Sequence, residues 1–125
     1  IAHATQVLHV CAIQRGGTHA DPRIVRAQVQ PALLARHLAL SGYDGVICLG
    51  CVIKGDTAHF EYISEAAAHG LMQAGLETGK PLTFGILTTY TDEQAIARSR
   101  PDVHNKGREA AAACVEALKV LRSAL

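Results

Sequence analysis

Asp56, Thr57 and His59 stand together in GCVIKGDTAHFEY, residues 50–62, where an apolar run gives way to a small polar turn and then a titratable ring. A turn such as Gly55-Asp56-Thr57, placed between a strand end and a helix start, offers unpaired backbone N–H groups. Such groups hold an anion, phosphate above all. An imidazole one step further on is suited to moving protons near neutral pH. The bland reading stands beside this one: glycine-polar turns after strands are common, and a single histidine is more often a surface residue. Cys48 and Cys51 make a C-x-x-C spacing that suits redox chemistry or half a zinc site. They lie inside VICLGCVI, an extended run in which residues three apart point to opposite faces. No second pair accompanies them, so two buried strand thiols is the better reading and no metal is expected.

The elements that must position these groups are legible from Pro31 onward. PALLARHLALSG has apolar residues at near-helical spacing and stops at Gly42. YDGVICLGCVI is a nearly continuous apolar run, as in a strand buried on both faces. A helix follows from about His59 to Glu77, with Asp56 or Thr57 as its cap, and Gly79-Lys80-Pro81 ends it. LTFGILTT reads as a second buried strand. TDEQAIARSR reads as a short helix capped by Thr91 or Asp92, and GREAAAACVEALKVLRSAL as a last helix capped by Asn105. Alternating helices and buried strands with short connections imply a parallel α/β sheet covered on both faces. Residues 1–30 are less regular: TQVLHVCAI and RIVRAQVQ read as strands around the loop RGGTHADP. No room is left between them for the helix that a parallel connection needs.

Composition bounds the rest. With 125 residues the chain is read as a single domain, 1–125. The net charge is +1 and well mixed, which argues against a nucleic-acid or polybasic membrane partner. No apolar run approaches the ~18 residues of a membrane span. The first residues show no basic-then-apolar leader pattern, so a cytoplasmic protein is expected.

Four blocks in order resemble one family: GCVIKGDTAHFEY, FGILTT, EQAIAR and HNKG. From Pro31 to about Leu118 the chain is similar to the 6,7-dimethyl-8-ribityllumazine synthases of riboflavin biosynthesis. The resemblance implies a flavodoxin-like three-layer αβα sandwich with a central parallel sheet. It implies homo-oligomers built on pentamers, with active sites between neighbouring subunits and no cofactor or metal. The implied reaction is a transferase condensation of 5-amino-6-(D-ribitylamino)uracil with 3,4-dihydroxy-2-butanone 4-phosphate, releasing phosphate and water. Carried over position by position, His59 shuttles protons, and Asp56 and Thr57 bind the substrate phosphate. Arg98 pairs with that phosphate through its guanidinium fork, and Lys106 lies near the substrate. Phe84 stacks near the pyrimidine from the adjacent subunit. Cys51, Val52 and Ile53 meet the pyrimidine and ribityl parts through their backbone. Glu109 either orients Arg98 or Lys106 or is an exposed helical glutamate.

The chain also departs from the family. The R-F-N-like aromatic signature and the P-G-x-x-E-[IL] segment are not found, and Val29-Gln30 directly precede Pro31. Omitted loop segments, a diverged N-terminal third and a remnant that only assembles all fit. The first is preferred, because active-site loops are often mobile. The alternative function is a non-catalytic oligomeric shell, or a flavin- or lumazine-binding protein on the same fold.

Overall fold

The computed structural model describes residues 30–124, together with the backbone of 7–13 and 25–26. Strands β1 (Val7–Ile13) and β2 (Val25–Arg26) come first. Then follow α1 (Pro31–Leu40), β3 (Gly45–Ile53), α2 (His59–Thr78), β4 (Leu82–Thr89), α3 (Asp92–Ser99) and α4 (Lys106–Ser123). The loop expected over RGGTHADP lies outside the described residues, as does most of the strand expected in RIVRAQVQ.

Local chemistry accounts for most boundaries. Pro31 opens α1, where its missing N–H is not needed and its φ is already helical. Gly79 ends α2 in the left-handed region (φ 66°), its N–H donating to the Gly75 carbonyl at 2.9 Å. Thr91 caps α3, its Oγ1 accepting from the Gln94 N–H at 3.2 Å. Asn105 caps α4, its Oδ1 accepting from the Arg108 N–H at 2.8 Å. The cap expected for α2 differs. Its N-cap is Ala58, with no side-chain cap bond, and Thr57 stands one residue too early. Thr57 Oγ1 reaches only the His59 N–H, at 3.4 Å.

The sheet order is β2-β1-β3-β4. β3 and β4 are parallel, in register from Val46↔Leu82 to Ile53↔Thr89. β1 runs antiparallel to β3 and to β2, so the parallel sheet expected from the alternation is confined to the β3–β4 pair. The short β1–β2 connection, too brief for a crossover helix, is the physical reason these two strands are antiparallel.

Helices cover both faces of the parallel pair. On one face Val46, Cys48, Val52 and Ile86 pack against Ala35 and Leu38 of α1 and Phe60 and Leu71 of α2. On the other, Ile47 and Leu49 pack against Ala110, Cys114 and Leu118 of α4. This two-sided burial explains the unbroken apolar run of β3. α4 comes close because β4 has a glycine opposite it: a Cβ on Gly85 would lie 2.9 Å from Ala110 Cβ. Lys80 holds the end of α1, its Nζ donating to the Ala39 and Tyr43 carbonyls at 2.6 and 2.5 Å. Among the described residues no helix is long and apolar enough to cross a membrane.

Candidate active site

The candidate residues fall into two places. The first is the carboxyl end of β3 and the turn after it. Cys51 and Ile53 are half-buried. Val52 is 5% exposed and committed to the core, so only its backbone can face a ligand. Beyond the strand Asp56, Thr57 and His59 are all exposed, His59 being the first residue of α2. Ala58 provides no side-chain cap for α2, and the His59 N–H makes a long bond of 3.4 Å to Thr57 Oγ1, one that a stronger acceptor could replace. Burial, and secondarily the Asp92 charge, push the Cys51 thiol up, which makes it a poor nucleophile. Cys48 is buried on the opposite face, so the two are strand thiols, and neither is part of a disulfide. No cluster of potential metal ligands occurs among the described residues.

The second place is a groove of about 460 Å³ along β4, the last strand in the sheet order, closed on its far side by α3 and α4. Phe84, Thr88, Arg98, Lys106 and Glu109 line it. Phe84 is 40% exposed, so it is not simply a core residue. Arg98, in the last turn of α3, donates from Nη1 to the Gln94 carbonyl at 3.2 Å. Lys106 opens α4, and both Glu109 carboxylate oxygens accept from its Nζ at 2.9 Å. The pair is about half exposed, so it orients the ammonium more than it stabilises the fold. Glu109 is an exposed helical glutamate that also meets Lys106, so both readings of it are compatible with the structure. The arrangement gives an aromatic surface beside two cations, suited to a flat ring carrying an anionic group.

The structure therefore brings Phe84, Arg98 and Lys106 together and leaves Cys51, Val52, Ile53, Asp56, Thr57 and His59 outside the groove lining. Two contributors escape sequence reasoning. Asn105, read only as a cap, also donates from Nδ2 to the Ser99 and Arg100 carbonyls at 3.0 and 2.8 Å. It thereby fixes the end carrying Arg98 against the start carrying Lys106. Lys54, at the end of β3, reaches Glu61 and the rings of Phe60 and Tyr90. Only its spacing to an acid in the next helix hinted at this.

The sequence matches the family model described as 6,7-dimethyl-8-ribityllumazine synthase over residues 7–122, so the match includes β1 and β2 as well as the motifs beyond Pro31. A protein named 6,7-dimethyl-8-ribityllumazine synthase 1, from Caulobacter vibrioides, is 58% identical over 111 residues, covering 86% of this chain and 72% of that one. The Deinococcus deserti 6,7-dimethyl-8-ribityllumazine synthase is 43% identical over 113 residues, 88% of this chain and 72% of its own. That of Nitratidesulfovibrio vulgaris is 54% identical over 90 residues, 71% and 58% respectively. Motif, model and relatives agree, and the chain belongs to the 6,7-dimethyl-8-ribityllumazine synthase family.

Proposed function

We propose that this chain, acting as a single domain of the flavodoxin-like three-layer type, is a cytoplasmic transferase. It condenses 5-amino-6-(D-ribitylamino)uracil with 3,4-dihydroxy-2-butanone 4-phosphate to 6,7-dimethyl-8-ribityllumazine, phosphate and water, and works as a homo-oligomer built on pentamers. The observation that carries this reading is the split of the candidate residues. One chain's groove holds an aromatic and two cations but none of the proposed proton carrier, while the turn carrying His59 lies elsewhere. A site assembled from the turn of one subunit and the groove of its neighbour contains the full inventory.

In that site the substrate phosphate lies against the N-terminus of α2. The backbone of Asp56 and Thr57, with the Thr57 hydroxyl, donates to its oxygens, and Arg98 supplies a guanidinium fork from across the interface. Lys106, oriented by Glu109, adds a second positive charge near the substrate. Phe84 stacks on the pyrimidine, and the backbone of Cys51, Val52 and Ile53 borders the pyrimidine and ribityl parts. His59 carries protons as the amine adds to the ketone, water leaves to give the imine, and phosphate departs before ring closure. Holding the two substrates together supplies much of the acceleration.

Complementation tests this directly. His59→Ala and Arg98→Ala are each expected to lower turnover by about 10²-fold or more. Oligomers co-assembled from equal amounts of the two should recover activity, because roughly a quarter of their interfaces pair an intact turn with an intact groove. A His59→Ala protein that turns over normally, or a mixture no more active than its parts, overturns the reading. Assembly without any turnover in the parent chain leaves the shell alternative.

A further inference from the structure

Between the strand end and the first turn of α2, four side chains close on one another. Lys54 directly precedes the Gly55–His59 turn, and its N–H donates to the Thr89 carbonyl at 2.8 Å, extending the β3–β4 ladder by one residue. Its Nζ hydrogen-bonds Glu61, two residues beyond His59. The same ammonium lies 5.9 Å from the centre of the Phe60 ring and 5.7 Å from that of Tyr90. Those rings meet each other at 5.8 Å and 44°. Phe60 is 8% exposed and belongs to the core, so the clamp is anchored to the body of the domain.

The turn inside this clamp has little to hold it. A long hydrogen bond runs from the His59 N–H to Thr57 Oγ1, and the turn's residues are mostly exposed. A cation at a helix N-terminus opposes the helix dipole. Lys54 is held there nonetheless, by a carboxylate in the first turn and by two ring faces. We propose that Lys54 is a positioning residue: by bridging the end of β3 to Glu61 and to the Phe60–Tyr90 pair, it sets the distance and orientation of the turn that carries Asp56, Thr57 and His59. The ammonium is committed to Glu61 and does not itself receive the substrate phosphate. This inference rests on the reading of that turn given above.

The test compares Lys54→Met, Lys54→Arg, Glu61→Gln and His59→Ala, each checked for folding by circular dichroism. The readouts are kcat, KM for the phosphate-bearing substrate and competitive inhibition by inorganic phosphate. Lys54→Met is expected to lower kcat/KM about tenfold and to weaken phosphate inhibition, since a displacement of about 1 Å is costly in a preorganised site. Lys54→Arg, which keeps a cation over the rings, should restore most of both. Glu61→Gln should weaken phosphate inhibition in the same direction. If Glu61→Gln instead tightens it, Lys54 is a direct anion ligand and the positioning role is overturned. Lys54→Met that loses thermal stability alone, with kcat and KM intact, overturns it as well. Normal turnover by His59→Ala marks a failure of the underlying reading, whatever Lys54 does.

Discussion

Gly85→Ala isolates the packing that holds α4 against the sheet. The new methyl would stand 2.7 Å from Leu49 Cδ2, 2.9 Å from Ala110 Cβ and 3.0 Å from the Cys48 carbonyl oxygen, where ordinary contact begins near 3.4 Å. Leu49 can swing its methyl aside. Ala110 Cβ and a backbone oxygen cannot rotate away, so α4 or β4 must give by 0.5 Å, the difference between 3.4 and 2.9 Å. Overpacking of this kind costs about 1–3 kcal/mol, offset by about 0.4–1 kcal/mol from the less flexible unfolded chain. The net loss should be about 1–2 kcal/mol, read as a urea midpoint lower by about 1 M. α4 also carries Lys106 and Glu109 in the groove. A shift of that size should lower kcat/KM about three- to tenfold. Gly75→Ala is the matched comparison: its Cβ meets nothing closer than 3.4 Å, and alanine favours the interior of α2. It should stabilise by about 0.5–1 kcal/mol. A Gly85→Ala protein as stable and as active as the parent refutes the claim that Gly85 sets the approach of α4.

Asn105→Ala removes a helix cap together with both bonds to the end of α3. It should cost about 1–2 kcal/mol in urea unfolding and raise KM for the phosphate-bearing substrate, as Arg98 and Lys106 lose their common anchor. Lys80→Met leaves the Ala39 and Tyr43 carbonyls without their charged donor; a loss of about 2–3 kcal/mol is expected, with kcat unchanged because Lys80 does not line the groove. The Lys54–Glu61 pair has a defined pH window. Its hydrogen bond to Lys54 holds the Glu61 carboxyl below its ordinary 4.5 and, reciprocally, holds the Lys54 ammonium above its ordinary 10.5. A carboxyl lowered on folding stabilises above its unfolded value and loses that contribution as pH falls through the folded one; a raised ammonium stabilises below its unfolded value and loses it as pH rises through the folded one. The stability difference between the parent and Glu61→Gln should therefore be flat between the two ordinary values, 4.5 and 10.5, and shrink as pH falls below the first. A difference that grows on acidification contradicts the assignment.

Much of the local architecture is written along the chain. The apolar run at 45–53 specified β3, Pro31 and Gly79 marked a helix start and a helix end, and Thr91 and Asn105 capped α3 and α4 where their types indicated. These signals are local: each depends on a few neighbouring residues and a backbone preference. The motifs likewise identified the family, because four blocks in one order are specific even when each alone is weak. Tertiary structure decided what periodicity cannot carry. A hydrophobic pattern says which face is buried but not against what. Only folding placed β4 last in the sheet order with its groove, packed Ala110 onto Gly85, and joined Lys106 to Phe84 across 22 positions of sequence. It also left α2 starting at His59, as read, but with Ala58 rather than Asp56 or Thr57 in the cap position, and gathered Lys54, Phe60, Glu61 and Tyr90 from two strand ends and a helix. Such contacts arise between segments that meet only once the sheet has formed, so no window of sequence contains them.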